Sequence, residues 1–545
     1  MAFLTRLLLA FSVVWFGTGQ AIALEPFDVV LLGGKVVDGT GAPWFYADVG
    51  IRHGKIAAIG HLKNAKTRQS LNASGLIVAP GFVDMMGQTA TPLLRNPQSA
   101  FNLLSQGVTT INAGEGVSAA PLDDKSAKTV GWKTMAQYFT LLEKNGLPIN
   151  VVQSVGHSQV RGIVLGSADR RPTERELEKM KSLVREAMEA GATGLSTALI
   201  YPPAVYATTE EIAALAAVAG EYGGRYYTHM RNEGDRLLEA IDEALEIGRS
   251  AKTPVHIFHL KAAGKQNWPK MQQAIAKITA ARKAGQQVTA DIYPYINNGL
   301  GIAAFMHPRN FTRGRDALRR QLDDPQVRKR IRQEMETEAG WENWYRHSGF
   351  DWNKVVLGSM TAAPFNKHNG KTLAQIAKEL KRDEWDTFFE IAKVGAFALP
   401  QSMSDANKIL AMQQEFISFC TDVGPAVGGT RIASHPRAFG SFPRILGRYV
   451  REKKAISLEQ AISKMSAVAM NEVMVYDRGR ISVGLAADIV LFDFDTIADR
   501  ATLAEPQRPS VGVKHVFVNG QLVFSDGKVQ NAKPGKVLRG PGFLK

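Results

Sequence analysis

The chain has 545 residues, is 45% apolar and 21% charged, and so has ample material for a large core; low-complexity and fibrous classes are excluded. Its net charge of +15 is spread over helical stretches such as residues 313–320 and 378–382, interleaved with acids. No zinc-finger, RNA-recognition or basic-zipper pattern accompanies that charge, so no nucleic-acid partner is expected.

The first residues read as a targeting segment. Arg6 supplies the positive start, residues 7–16 the apolar stretch, and Ala21–Ile22–Ala23 a small-x-small cleavage site. The apolar run is short for a membrane span. We expect a signal peptide over residues 1–23, cleavage after Ala23, and a periplasmic or secreted product with no integral span; an uncleaved anchor is the alternative. The single cysteine, Cys420, rules out an internal disulfide and reads as core.

Residues 24–81 alternate short β-rich runs with tight turns at Gly33–Gly34, Asp38–Gly39 and His53–Gly54–Lys55. Residues 481–545 have the same texture around an Asn519–Gly520 hairpin turn. Neither end has enough strands to stand alone, so one small β-sandwich built from both ends is expected.

Between them, over residues 82–480, strands and helices alternate. Strands are expected at 107–111, 150–155, 194–197, 226–229, 256–259 and 288–292, and helices at 174–190, 209–221, 234–249, 268–284 and 458–468. This α/β rhythm predicts a (β/α)8 TIM-type barrel, and no Gly-x-Gly-x-x-Gly supports a dinucleotide fold. Residues 306–352, dense in charge and aromatics, read as a helical insertion over the catalytic rim.

Two strand-like runs end in His229 and His259, and a third, 416–421, is followed by Asp422. A parallel barrel presents such strand ends on one rim, and two imidazoles with a carboxylate suit a hydrolytic metal ion. Alternation puts Tyr227 with His229, and Ile257 with His259 and Lys261; His256 then falls on the opposite face, packed against a helix. His157 is a rim candidate or an interior hydrogen-bonding residue.

Several stretches carry a family resemblance: residues 33–41 (Gly-Gly-Lys-Val-Val-Asp-Gly-Thr-Gly), Ala79–Pro80–Gly81–Phe82–Val83–Asp84, Gly156–His157–Ser158, His259–Leu260–Lys261, Asp291–Ile292–Tyr293–Pro294–Tyr295, His435–Pro436–Arg437 and Gly484–Leu485–Ala486–Ala487–Asp488. The chain resembles the amidohydrolase superfamily and, within it, the D-aminoacylase (N-acyl-D-amino-acid deacylase) family. That family follows Pro-Gly-Phe-x-Asp with a His-x-His pair; here those positions hold Met86 and Gln88, poor ligands both, so the metal served by that pair is expected to be missing.

The resemblance implies a second metal position, held by a loop cysteine and two histidines. Glu115 is the acid in that loop, and it takes the cysteine's role beside His229 and His259. One divalent ion is therefore expected, zinc first, with a position left for water. Asp422 is the expected general base and acid, and Lys261, Tyr293 and Arg437 match the groups that read the substrate carboxylate. The implied activity is hydrolysis of the amide of an N-acyl-D-amino acid. A dipeptidase or cyclic-amide hydrolase on the same scaffold, or a non-catalytic binding protein, is the alternative.

Overall fold

A computed structural model describes residues 25–426 and 434–544; the expected signal peptide lies outside them. The two chain ends meet in one nine-stranded sheet. Ile77–Pro80 pairs antiparallel with Ile489–Phe492, joining four further strands from before residue 73 to three from after residue 512. The expected sandwich thus takes the form of one continuous hydrogen-bonded sheet, with Leu31, Val49, Ile51, Ile489, Leu491 and Phe517 among its core residues. The Asn519–Gly520 turn joins Val513–Val518 to Gln521–Ser525, with both residues at positive φ (44° and 79°), as a two-residue hairpin of this twist requires.

The middle of the chain is α/β, with its parallel strands in two sheets. Six strands run in the order Ile417–Phe419, Val288–Ile292, Val255–Ile257, Arg225–His229, Gly194–Ala198, Val155–Gly156. The other sheet holds Phe82–Asp84, Val108–Ala113 and Asn150–Gln153. Backbone hydrogen bonds link the sheets at each side: Thr193 N–H to Gln153 O (2.9 Å) and Met85 N–H to Phe419 O (3.2 Å). Alternation along the strands sends Tyr226, Val255 and Ile257 to the core shared with the helices. Val83, Val152, Tyr227, Phe258 and Cys420 form a separate apolar cluster on the other face.

Several helices start where their sequences provide caps. Thr173 accepts from Glu176 N–H while the Glu176 side chain returns to the Thr173 backbone, and Thr208 accepts from Glu211 N–H at the start of Thr209–Glu221. The helix expected over 458–468 is two, Leu458–Met465 and Ala467–Glu472, because Ser466 leaves helical geometry at φ −132°, ψ −85°.

Residues 306–352 lie within a larger body between the strands Val288–Ile292 and Ile417–Phe419. Besides helices such as Pro325–Thr337 and Glu384–Val394, it contains a three-stranded antiparallel sheet of Leu300–Gly301, Phe397–Pro400 and Val355–Gly358. Its own core centres on Trp352, which stacks on Tyr345 (centroids 4.3 Å) and Phe388 (5.2 Å). Among the described residues, no helix is long and apolar enough to cross a membrane.

Candidate active site

All seven residues singled out from the sequence line one cavity of about 440 Å³: Glu115, His229, His259, Lys261, Tyr293, Asp422 and Arg437. Six of them arrive from the C-terminal ends of parallel strands or the stretches just after them, and Arg437 opens the helix Arg437–Arg444. Glu115 follows Val108–Ala113 between two glycines at φ 101° and 66°. A Cβ at Gly114 would sit 2.6 Å from Ser154 Oγ, and one at Gly116 would sit 2.7 Å from the Ala198 backbone nitrogen. That close approach, together with positive φ, makes glycine necessary on both sides.

His229 ends its strand, but His259 reaches the cavity differently from what alternation implies. The strand stops at Ile257, and His259 takes φ 36°, with its N–H held by Asp291 Oδ1 at 2.8 Å. That left-handed residue changes the phase. His256, expected to pack against a helix, instead lies with Tyr227 and Phe258 (centroids 5.9 and 5.7 Å) on the face away from the helices. Its imidazole is satisfied by Thr289 Oγ1 and Asp291 Oδ2, both at 2.8 Å. His157 is likewise structural, buried against Glu211 Oε1 at 3.0 Å, with Arg161 on the other carboxylate oxygen.

Three donor groups converge at the centre. Glu115 Oε1 meets His229 Nδ1 at 2.7 Å and His259 Nε2 at 2.9 Å, and the donor atoms of the three residues lie within 4.8 Å of one another. Two imidazole nitrogens and a carboxylate oxygen on one point are the donor set zinc and similar divalent ions take, so the residues fit such an ion. Burial alone would raise the Glu115 carboxyl; hydrogen bonds and charge from His229 and His259 outweigh it and hold Glu115 well below the usual carboxylate range.

Behind the histidines lies Glu233, which the sequence reading passed over. Its Oε1 meets His259 Nδ1 at 3.0 Å and accepts from Lys261 Nζ at 2.5 Å; its Oε2 is 3.5 Å from His229 Nε2. Such a carboxylate fixes ring orientation and tautomer in ligand histidines. The one hint in the sequence is an acid four residues beyond His229. Lys261, expected to read the substrate carboxylate, has its ammonium engaged by Glu233, with His259 Nδ1 alongside at 2.7 Å.

Asp422 sits at φ 56°, just past Ile417–Phe419. The turn is clamped by buried Asp84, which accepts from Thr421 N–H (2.8 Å) and Thr421 Oγ1 (2.5 Å). Burial raises the Asp422 pKa, and Arg437 beside it restrains the rise. Arg437 donates from Nη1 to Asp422 Oδ2, so this guanidinium too is partly committed. Its Cζ also lies 4.6 Å from the Tyr293 ring centre, with Lys408 Nζ at 4.5 Å from the same centre. Gln88 completes the centre by donating from Nε2 to Glu115 Oε2 (2.6 Å) and Asp422 Oδ1 (2.8 Å).

Comparison with known proteins places this geometry. The profile of the amidohydrolase family matches residues 400–524. The N-acyl-D-glutamate deacylase of Alcaligenes xylosoxydans xylosoxydans is 34% identical over 525 residues, covering 94% of this chain and 97% of the relative. The chain belongs to the D-aminoacylase family of amidohydrolases. The D-aminoacylase of the same organism is 32% identical, with 94% of this chain and 98% of that protein covered. The crystal structure of N-acyl-D-glutamate deacylase from Bordetella bronchiseptica, complexed with zinc and a phosphonate mimic of the tetrahedral intermediate, superposes with a TM-score of 0.80 at 32% identity, covering 94% of this chain and all of that one. A D-aminoacylase structure with a binuclear metal centre, described as showing one-metal activation and second-metal attenuation, gives 0.78 at 30% identity over the same shares. The chain is thus an amidohydrolase, an enzyme that acts on amide bonds.

Proposed function

We propose that this protein hydrolyses the amide of an N-acyl-D-amino acid, using one divalent ion, zinc first, held by Glu115, His229 and His259. The observation that carries the reading is the meeting of both imidazoles on Glu115 Oε1, in the cavity that Asp422 also lines. Names of the relatives supply the substrate class: glutamate, aspartate and general D-amino-acid deacylases. The scaffold reading is an eight-stranded parallel barrel, in which Asn150–Gln153 and Val155–Gly156, separated by Ser154 alone, count as one strand; it is supported by the Met85–Phe419 and Thr193–Gln153 hydrogen bonds that link the two parallel sheets at either side.

When bound, a divalent ion at these three residues polarises the scissile carbonyl and makes water a stronger nucleophile at neutral pH. Asp422 accepts a proton from the attacking water and returns it to the leaving nitrogen. Arg437 opposes the rise in the Asp422 pKa that burial causes and holds the carboxylate in the cavity. Its remaining N–H groups and the Tyr293 hydroxyl are placed for the substrate carboxylate, while the Lys261 ammonium is paired with Glu233. An open-chain acid is favoured over a cyclic imide by these groups. The same reading includes export after cleavage at Ala23, supported by the charge and apolar pattern of the first residues.

The test is release of free amino acid from a panel of N-acyl-D- and N-acyl-L-amino acids by metal-loaded protein, alongside elemental analysis. Hydrolysis of D-substrates with one equivalent of metal is expected. Metal-loaded protein inert on every D-substrate would refute the activity.

A further inference from the structure

Gln88 and Met86 stand where a metal-binding pair is expected, and neither fits a second divalent ion. Met86 is fully buried, its thioether in the apolar cluster with Val83, Tyr227 and Phe258. Gln88 turns a side-chain amide toward two acids: Nε2 lies 2.6 Å from Glu115 Oε2 and 2.8 Å from Asp422 Oδ1. Ionised carboxylates only accept, so the group facing them is the NH2, with one hydrogen for each. The backbone fixes this pose, since Gln88 is at φ 52° and its carbonyl accepts from Gly114 N–H at 2.8 Å.

We propose that Gln88 replaces a second metal ion: its amide is a neutral clasp that joins the metal-binding Glu115 to the general base Asp422, and it makes the site constitutively mononuclear. Two buried carboxylates aimed at one region repel unless something positive lies between them. A cation would supply that charge; here two N–H bonds do. The oxygens a second ion would need already accept from Gln88, and Asp422 Oδ2 accepts from Arg437. The second-metal attenuation described for a D-aminoacylase then has no place to act in this chain. The assignment rests on the one-metal reading above, and it makes Gln88 a positioning residue for Asp422.

The experiment titrates metal-depleted wild type, Gln88→Leu and Gln88→Glu with zinc chloride by calorimetry, with kcat and KM measured at each loading. Wild type should take up one equivalent and no second one up to about ten equivalents of added zinc, an excess chosen to populate a weak site. Gln88→Glu puts a third carboxylate between the two and should take up a second equivalent. Gln88→Leu should keep one equivalent and a normal circular-dichroism spectrum. Its kcat should fall roughly 10- to 100-fold, the worth of one hydrogen bond to a charged group, with KM nearly unchanged because Gln88 aims the base rather than the substrate. Two equivalents in wild type, or wild-type kcat in Gln88→Leu, would overturn the clasp while leaving the metal reading intact. Zinc uptake by none of the three proteins would overturn both.

Discussion

Arg437 and Asp422 form a buried ion pair in which Nη1 donates to Oδ2, and it joins the expected carboxylate reader to the expected general base. A guanidinium so placed has two tasks. It opposes the rise in the Asp422 pKa that burial causes, and it offers its other N–H groups to a ligand. Arg437→Lys should therefore lower kcat/KM on a neutral amide analogue as well as on the free acid, with the larger fall on the acid. Each charge-assisted hydrogen bond lost should cost about 1.5–3 kcal/mol. The check is kcat/KM for both enzymes on an acid and amide pair of otherwise identical structure; a loss confined to the acid would show that Asp422 does not depend on the pair.

Asp422→Asn keeps the shape but removes the proton carrier. Metal content and fold should survive, and kcat should drop by roughly 10²–10⁴, the usual contribution of a positioned acid–base group. His229→Ala or His259→Ala should instead lose the metal together with activity. Elemental analysis after gel filtration separates the two classes, and near-normal turnover by Asp422→Asn would remove it from the mechanism.

Glu233 orients His259 and holds Lys261 without lining up as a metal ligand itself. Glu233→Gln retains size but weakens both contacts, and it should reduce metal affinity roughly 10–100-fold, as loss of such supporting carboxylates does elsewhere. Competition with a chromogenic chelator measures this directly. Unchanged affinity would leave Glu233 a partner of Lys261 only.

How much of this was legible beforehand depended on how local the signal was. The Asn519–Gly520 hairpin and the Thr173 and Thr208 helix starts follow from short-range chemistry that nothing nearby overrides. The strand ends that bring His229 and Asp422 to the cavity were visible as apolar runs ending in polar groups. His259 was placed there for an incomplete reason. Alternation assumes a continuous strand, and the left-handed turn held by Asp291 breaks it, which is also why His256 lies on the face opposite to the expected one. Gln88 was legible as a lost ligand but not as a clasp, because that role exists only once residues 88, 115 and 422 meet. The sheet Leu300–Gly301, Phe397–Pro400 and Val355–Gly358 draws its strands from far apart in a charged, aromatic segment whose helices dominate the pattern.

Lys408 shows the same limit and gives a prediction in pH. In sequence it looks like a solvated helix lysine, yet it is 2% exposed, its ammonium nitrogen has no hydrogen-bond partner, and it faces the Tyr293 ring. Burial, with Lys261 nearby, pushes its pKa down to about 7. Between about pH 7 and the unfolded lysine value of about 10.4, the unfolded chain binds a proton that the folded chain does not. Stability must therefore rise with pH across that window, and the cost of burying Lys408 is fully present below it. Lys408→Met keeps a linear side chain of similar volume without the charge. Less the lost ring contact, it should stabilise the protein by about 1–3 kcal/mol near pH 7. The advantage should shrink toward pH 10. Urea midpoints of both proteins at pH 7, 8, 9 and 10 test this. An advantage that does not change with pH would mean that Lys408 keeps its ordinary lysine pKa in the fold, and a variant less stable at pH 7 would mean that its cation over Tyr293 stabilises the fold.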